Sequence, residues 1–370
     1  MELVVRKNDL LRELQLFQGI VERKNTIPIL ANVLMDAKGD SVGFLATDLE
    51  VGLRSRCAAQ IAKAGSITLP AKKFYEIVKS LPETDIKIVE DRNGVKISAD
   101  RFDSRMQTLP KEDFPTLPDF AAEGGAMLPR AALKEMVSKT QFAITGEDTR
   151  FFLNGALFVI RPDSMSLVAT DGHRLALVTA PRNGTAGKSD QEDRPILPKK
   201  TLGELGRLLA EGEGDIQFER GENHLFFKVG DRTLISRMID GQFPAYERVI
   251  PKGNDKHIEF ERDRLTNAVK RVALLSNERS RAVKFQIEKG KVDVTSSSPD
   301  LGEAHEELPV EYSGGSMQIC FNAQYVLDFL AAVSTDVVSL DLKDEVSQAV
   351  VKPVGADGYD YTYVIMPMRV

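Results

Sequence analysis

An α+β fold of three tandem similar domains, each with two helices and antiparallel sheets, is predicted for this 370-residue chain by three observations. The first is the stretch 167–177, LVATDGHRLAL, which alternates apolar and polar residues, breaks at Asp171-Gly172 and resumes at Arg174, as a strand, a kink and a second strand would. A shortened echo stands about 120 residues earlier as LATDL at 45–49, and a degraded one about 125 residues later as VDVTSS at 292–297. The second is an amphipathic helix ahead of each echo. The third is a further helix start after each, at LPAKKF (69–74), LPKKTL (197–202) and FNAQYV (321–326). A repeat of this length exceeds solenoid periods, so the copies are domains rather than a stack of small units.

The elements follow in order, with domains at 1–125, 126–252 and 253–370. A helix over 8–24 buries Leu10, Leu14, Phe17 and Val21 on one face. Strand pairs then fold at Lys38-Gly39-Asp40, and after the first echo a helix is predicted over 71–81. Strands 85–98 turn at Asn93-Gly94, a strong hairpin signal. Ser104-Arg105-Met106 closes the first copy before Phe114-Pro115. The second copy repeats the plan: a helix over 129–143 started by Pro129, a turn at Arg161-Pro162-Asp163, a helix over 198–211, and Ser236-Arg237-Met238 before Phe243-Pro244. The third has helices over 261–275, with Leu265, Ala268, Val269 and Val272 inward, and over 322–333. It ends on YVIMPMRV at 363–370.

The net charge of −6 argues, as a sum, against nucleic acid as a partner, but charge can be segregated. The six predicted helices hold 16 Lys and Arg against 10 Asp and Glu, in a chain with 49 and 55. The helices are therefore net positive and the remainder strongly negative. A charged helix face is ordinarily just solvated. Five basic faces in an acidic chain favour a shared surface for phosphates, read without sequence preference.

Asp171 and His173 invite a catalytic reading, yet no Ser or Cys nucleophile motif accompanies them. His173 reads more simply as a turn residue bonded to backbone, or as a pocket lining. His173, His224, His257 and His305 lack metal spacing, and two scattered cysteines cannot build a zinc site. The glycines at 212 and 214 lie among acids that would repel phosphate, and no P-loop or dinucleotide fingerprint appears. No catalytic activity and no cofactor are expected. Cys57 and Cys320 point to reduced thiols in a cytoplasm. The N-terminal MELVVRKNDLL lacks a signal-peptide core, and no run reaches the roughly 18 apolar residues of a membrane span. A cytoplasmic protein with no membrane partner is the expectation.

Thr170-Asp171-Gly172-His173-Arg174-Leu175-Ala176, Phe243-Pro244-x-Tyr246 and Met366-Pro367-Met368-Arg369 together resemble the bacterial sliding clamp family, the β subunit of DNA polymerase III holoenzyme. The resemblance extends through Ile27-Pro28-Ile29-Leu30, Leu153-Asn154-Gly155 and Leu275-Ser276-Asn277-Glu278, in order along the whole chain. It implies the DNA-clamp fold and a ring-shaped head-to-tail homodimer around double-stranded DNA. Such a ring confers processivity on the replicative polymerase, is placed by a clamp loader, and docks other clamp-binding-motif proteins at the nucleoid. Size agrees. A domain of about 120 residues is roughly 35 Å across, so three in a ring leave a hole of about 5 Å and six one of about 35 Å. A duplex on the order of 20 Å across passes only the second.

The resemblance also implies sites. Partner peptides would enter a pocket between the second and third domains lined by Leu153, Thr170, Gly172, His173, Arg174, Leu175, Leu177, Pro244, Arg248, Val249, Val346, Val364, Met366, Pro367, Met368 and Arg369. The apolar residues would wall a slot while His173 and the arginines meet polar peptide groups. Some of the leucines and valines could equally be core. Two methionines suit a many-partner surface. DNA would be met by Lys24, Lys72, Lys73, Arg150, Lys199, Lys200, Arg279 and Arg281. The dimer interface would set Leu274 and Leu275 against Met106, with Asp300, Glu303, Glu306 and Glu307 near Lys73, Arg101 and Arg105. Ser104, Glu247, Gln348, Phe151 and Phe152 depart from residues common in the family.

Overall fold

The computed structural model describes residues 1–21, 26–92, 94–119, 125–182 and 192–369. Six α-helices stand among them: α1 (Lys7–Phe17), α2 (Ala71–Ser80), α3 (Arg130–Thr140), α4 (Lys199–Leu209), α5 (Arg262–Ala273) and α6 (Ala323–Ala332). Each pair of helices recurs with the same strand plan, so the threefold repeat read from the kinked stretch is the architecture of the chain. No helix among the described residues is long and apolar enough to cross a membrane, which says nothing of strands.

The helices form because their apolar residues recur at three and four positions. Leu10, Leu14 and Phe17 of α1 are fully buried, and the Phe17 ring lies 6.2 Å from that of Phe44. Leu265, Ala268, Val269 and Val272 do the same for α5. All six helices are shorter than predicted, the first and third most at their C-terminal ends. The first ends at Phe17 rather than 24, and the chain turns through Gly19, where a Cβ would meet the Arg207 and Glu204 side chains at about 2 Å. The third ends at Thr140, followed by a single 3-10 turn over Gln141–Ala143.

By compactness the chain forms two units. One holds Met1–Arg130 and Lys200–Met238; the other holds residues 131–182, 192–199 and 239–369. The second sequence copy is thus divided, and the strand ladders supply the reason. In the first unit, Arg232–Arg237 pairs antiparallel with Val51–Ala58, Thr233 facing Arg54 and Ser236 facing Val51. This fuses strands of two copies into one eight-stranded sheet, ordered 126–128, 216–220, 224–229, 232–237, 51–58, 41–47, 32–38, 65–70. In the second unit, Asp360–Ile365 pairs with Arg174–Pro181 and creates the matching eight-stranded sheet. Each unit also has a smaller sheet. The five-stranded one ends on Phe102–Met106 and the four-stranded one on Gly302–Pro309.

The strands alternate. Val283, Phe285 and Ile287 are buried, with Lys284 and Gln286 between them turned outward, so one face covers α5. Gly155–Ile160 is buried along its whole length, as a strand covered on both faces must be. Cys57 and Cys320 are both free thiols, and burial pushes Cys57 up to about 12.

Candidate binding groove and charged faces

The kinked stretch is a tight, fully bonded turn. Thr170 Oγ1 donates to the Arg174 carbonyl at 2.6 Å and accepts from Gly172 N at 3.1 Å. Asp171 Oδ1 accepts from His173 N at 2.9 Å and Arg174 N at 3.0 Å. Gly172 has φ +88, and a Cβ there would sit 3.3 Å from the Arg150 guanidinium, so glycine serves both backbone and space. The first copy repeats this bond for bond: Thr47 Oγ1 to the Val51 carbonyl at 3.0 Å, with Asp48 Oδ1 accepting from Glu50 N at 2.9 Å and Val51 N at 2.7 Å. There Leu49 occupies the glycine position at φ +80.

Arg174, which the sequence reading set to meet polar peptide groups, is bonded mainly within the fold. Its side chain is only 9% exposed and four of its five N–H groups are engaged. Nε donates to Asp171 at 3.1 Å, Nη1 to Asp328 and to the Tyr363 hydroxyl at 3.3 Å, and Nη2 to the Phe142 carbonyl at 2.7 Å. The guanidinium also lies 4.4 Å from the Tyr325 ring centre. Burial opposes its charge, but Tyr363, Asp328 and Asp171 outweigh it and hold the pKa above the ordinary value. Arg174 is the tie between the turn and α6.

A groove of about 790 Å³ opens in the same unit, lined by Phe152, Leu157, Arg194, Ile196, Phe243, Pro244 and Glu247 among others. Beneath it Leu153, Leu175 and Val364 are core, packed with Leu157, Val168, Phe243, Tyr246 and Val350, while Leu177 is half-buried against them. The core alternative therefore holds for the first three. Thr170 and Leu177 are partly open; Gly172, His173, Pro244, Arg248, Val249, Val346, Met366 and Arg369 are exposed, and Pro367 and Met368 half-buried. Phe152, Leu157, Arg194, Ile196 and Phe243 were missed as linings; only the Phe243-Pro244 pair carried a sequence signal.

Two of the stretches expected at the peptide pocket are held by hydrogen bonds. The His173 ring stacks on Tyr325 with centres 6.5 Å apart, and its carbonyl accepts from Met366 N at 2.9 Å. Met368 N donates to the Cys320 carbonyl at 2.8 Å. In the other stretch, Asp344 Oδ1 accepts from Val346 N at 3.0 Å and Ser347 N at 2.7 Å, a bonded loop that presents Val346 at 64% exposure. Asn254 Nδ2 closes that loop at its ends, donating to the carbonyls of Asp341 and Gln348 at 2.8 and 3.1 Å.

The basic residues fall into two groups. Lys200 contacts the Asp48 carboxylate and the Ile20 carbonyl, and Lys199 Nζ donates to the Ile144 carbonyl at 3.0 Å, so both are tied into the fold. Lys139, counted toward the basic faces, is buried, paired with Glu135 and 4.8 Å from the Tyr359 ring centre. Lys73, Arg279 and Arg281 are exposed and Lys72 half-exposed, Lys73 pairing with Glu76 at 2.6 Å. Arg150 is exposed and forks onto Asp148 at 2.7 and 3.0 Å, which holds that carboxyl down at about 2. Lys24 lies outside the described residues.

Of the interface residues, Leu274 is 76% exposed at the end of α5 and Leu275 half-buried, whereas Met106 is buried. Arg105 pairs with Asp91 at 2.7 Å, Glu306 with Arg271 at 2.8 Å and Glu307 with Lys291 at 3.0 Å, so these charges have partners in their own domain. Arg101, Asp300 and Glu303 are exposed.

Comparison with known proteins agrees along the whole chain. The family models for the N-terminal, central and C-terminal domains of the DNA polymerase III beta subunit match residues 1–118, 127–245 and 247–369. The Beta sliding clamp of Pseudomonas putida is 39% identical and that of Escherichia coli K12 37% identical, each over 100% of both chains. The crystal structure of a DnaN sliding clamp (DNA polymerase III subunit beta) from Pseudomonas aeruginosa, bound to griselimycin, superposes with a TM-score of 0.94 at 37% identity over 100% of both chains.

Proposed function

Because this chain belongs to the DNA polymerase III beta subunit family, we propose that it works as a sliding clamp, encircling duplex DNA and holding the replicative polymerase to it. It confers processivity by linkage and makes or breaks no bond itself. It also docks polymerases, the clamp loader and repair proteins, whose linear peptides enter the groove between the second and third domains, taken as 126–252 and 253–370. It resides in the cytoplasm, at the nucleoid during replication.

One observation carries the ring. The closing strand of the second domain, Arg232–Arg237, pairs with the strand after the kink in the first, Val51–Ala58. The closing strand of the third, Asp360–Ile365, pairs with the strand after the kink in the second, Arg174–Pro181. The remaining closing strand, Phe102–Met106, and the remaining post-kink strand, Gly302–Pro309, both end their sheets. An open edge invites another strand. A second copy supplies it, head to tail, and two chains then close a ring of six domains with heterologous contacts. Leu274 and Leu275 add the apolar part of that contact, and Asp300 and Glu303 face Arg101 across it.

DNA inside the ring meets Lys24, Lys72, Lys73, Arg150, Arg279 and Arg281. The exposed Lys73–Glu76 pair is worth little, so Lys73 can exchange its carboxylate for phosphate. Lys199 and Lys200 contribute field rather than direct contact. Topology rather than charge keeps the ring in place. Loaded onto closed circular DNA, it should stay in salt that strips ordinary phosphate binders, and run off once the circle is cut. Equal salt-driven loss from circle and linear DNA rejects the clamp.

A further inference from the structure

All ten methionines of the chain lie within the described residues, and Met366 alone is more than a third exposed, at 38%. Met35, Met136 and Met165 are fully buried. Met366 is also the first residue beyond the sheet. Ile365 pairs with Arg174 on one side and Ala349 on the other, so Met366 stands between His173 and Gln348, among the residues that the docking reading assigns to the peptide. We propose that Met366 is a reversible oxidation switch on the docking groove: peroxide converts its thioether to the sulfoxide, and the groove then loses its peptide. The inference rests on the docking reading above.

The chemistry closes on itself. One oxygen of hydrogen peroxide bonds to Sδ as the O–O bond breaks, the other leaves as water, and the sulfur gives up two electrons. The other exposed routes for peroxide in this chain are poor. Both thiols are raised by burial, Cys57 to about 12 and Cys320 above its ordinary value, which leaves little thiolate to react. Met366 N is bonded to the His173 carbonyl at 2.9 Å and Met368 N to the Cys320 carbonyl at 2.8 Å, so the backbone at 366–368 is held and only side-chain rotation can move the new oxygen. A sulfoxide there sets a strong acceptor against whatever apolar side chain of the peptide covers Met366. Leaving such a group unpaired in an apolar contact costs roughly ten- to a hundredfold in affinity.

The test uses the full chain and a fluorescein-labelled clamp-binding peptide from the replicative polymerase subunit. Hydrogen peroxide is added until about one oxygen per chain is taken up, and peptide mass spectrometry locates it. The sulfoxide should appear first at Met366, the Kd should rise by roughly ten- to a hundredfold, and methionine sulfoxide reductase should restore it. Met366→Leu sets its own starting affinity, and peroxide should leave that value where it began. Oxygen entering elsewhere first, or a Kd unmoved by the Met366 sulfoxide, overturns the switch. So does a peroxide loss in Met366→Leu equal to that of the parent. If the untreated protein does not bind the peptide at all, the docking reading falls and takes the switch with it.

Discussion

Arg174 shows how one side chain can be misassigned by its place in a motif. Within Thr170-Asp171-Gly172-His173-Arg174 it looks like a free cation at a pocket rim. Its partners are Asp171 three residues away, Asp328 and Tyr363 more than 150 residues on, and a backbone carbonyl at Phe142. Only the first is visible locally. The fork therefore fastens the turn to α6 from beneath while His173 above it stays open. Arg174→Ala should cost about 1–3 kcal/mol, because the half-buried Asp171 and Asp328 carboxylates would each lose the guanidinium on Oδ2 and keep only their Oδ1 donors. Arg174→Lys should recover part of it, since a point charge cannot reproduce the fork. Urea unfolding of the two variants measures both. A loss under 1 kcal/mol in the alanine variant would show the fork to be incidental. Lys139 is a parallel case, where a helix lysine that pattern places in solvent is instead buried over Tyr359.

At the scale of elements the sequence was readable wherever the signal was local. The helix faces, the turns at Gly39, Pro162 and Gly290, and the threefold kink all rest on spacing and turn chemistry within a few residues. The end of α1 was not, and the reason residue 19 is glycine lies in the Arg207 and Glu204 side chains packed over it from a segment nearly 190 residues later. The groove was half legible. Its rim lies in motifs, but Leu157 and Ile196 enter it through sheet packing. The loop after Val337–Leu342 carries Val346, which the docking reading sets against the peptide. Six residues separate that strand from Ala349–Pro353, against three in the matching hairpin of the second domain. Asp344 bonds this longer loop into shape. Asp344→Ala should weaken peptide binding several-fold, and Asp344→Asn, which keeps the accepting oxygen, should not, as fluorescence anisotropy would show. Equal binding in all three proteins would mean the loop is not a wall.

For the whole molecule, the repeat itself explains why one chain is incomplete. Each internal joint is a strand pair formed between neighbouring domains, and the two strands left over from that pattern, Phe102–Met106 and Gly302–Pro309, each end a sheet. Those joints were beyond periodicity, since they pair residues some 180 to 190 positions apart. The joint register can be copied forward. Leu234 faces Leu53; Phe102 stands two residues before Ser104 as Leu234 does before Ser236, and Ala304 is third in its strand as Leu53 is in its own. Phe102 of one protomer should therefore face Ala304 of the next, within reach of a disulfide. The decisive measurement is oxidation of the double variant Phe102→Cys, Ala304→Cys after loading on circular DNA. The account predicts a covalent hoop of two chains that stays on the circle through denaturant and is freed when the DNA is cut. Chains that never link to one another, or that link and still wash off the intact circle, would contradict it.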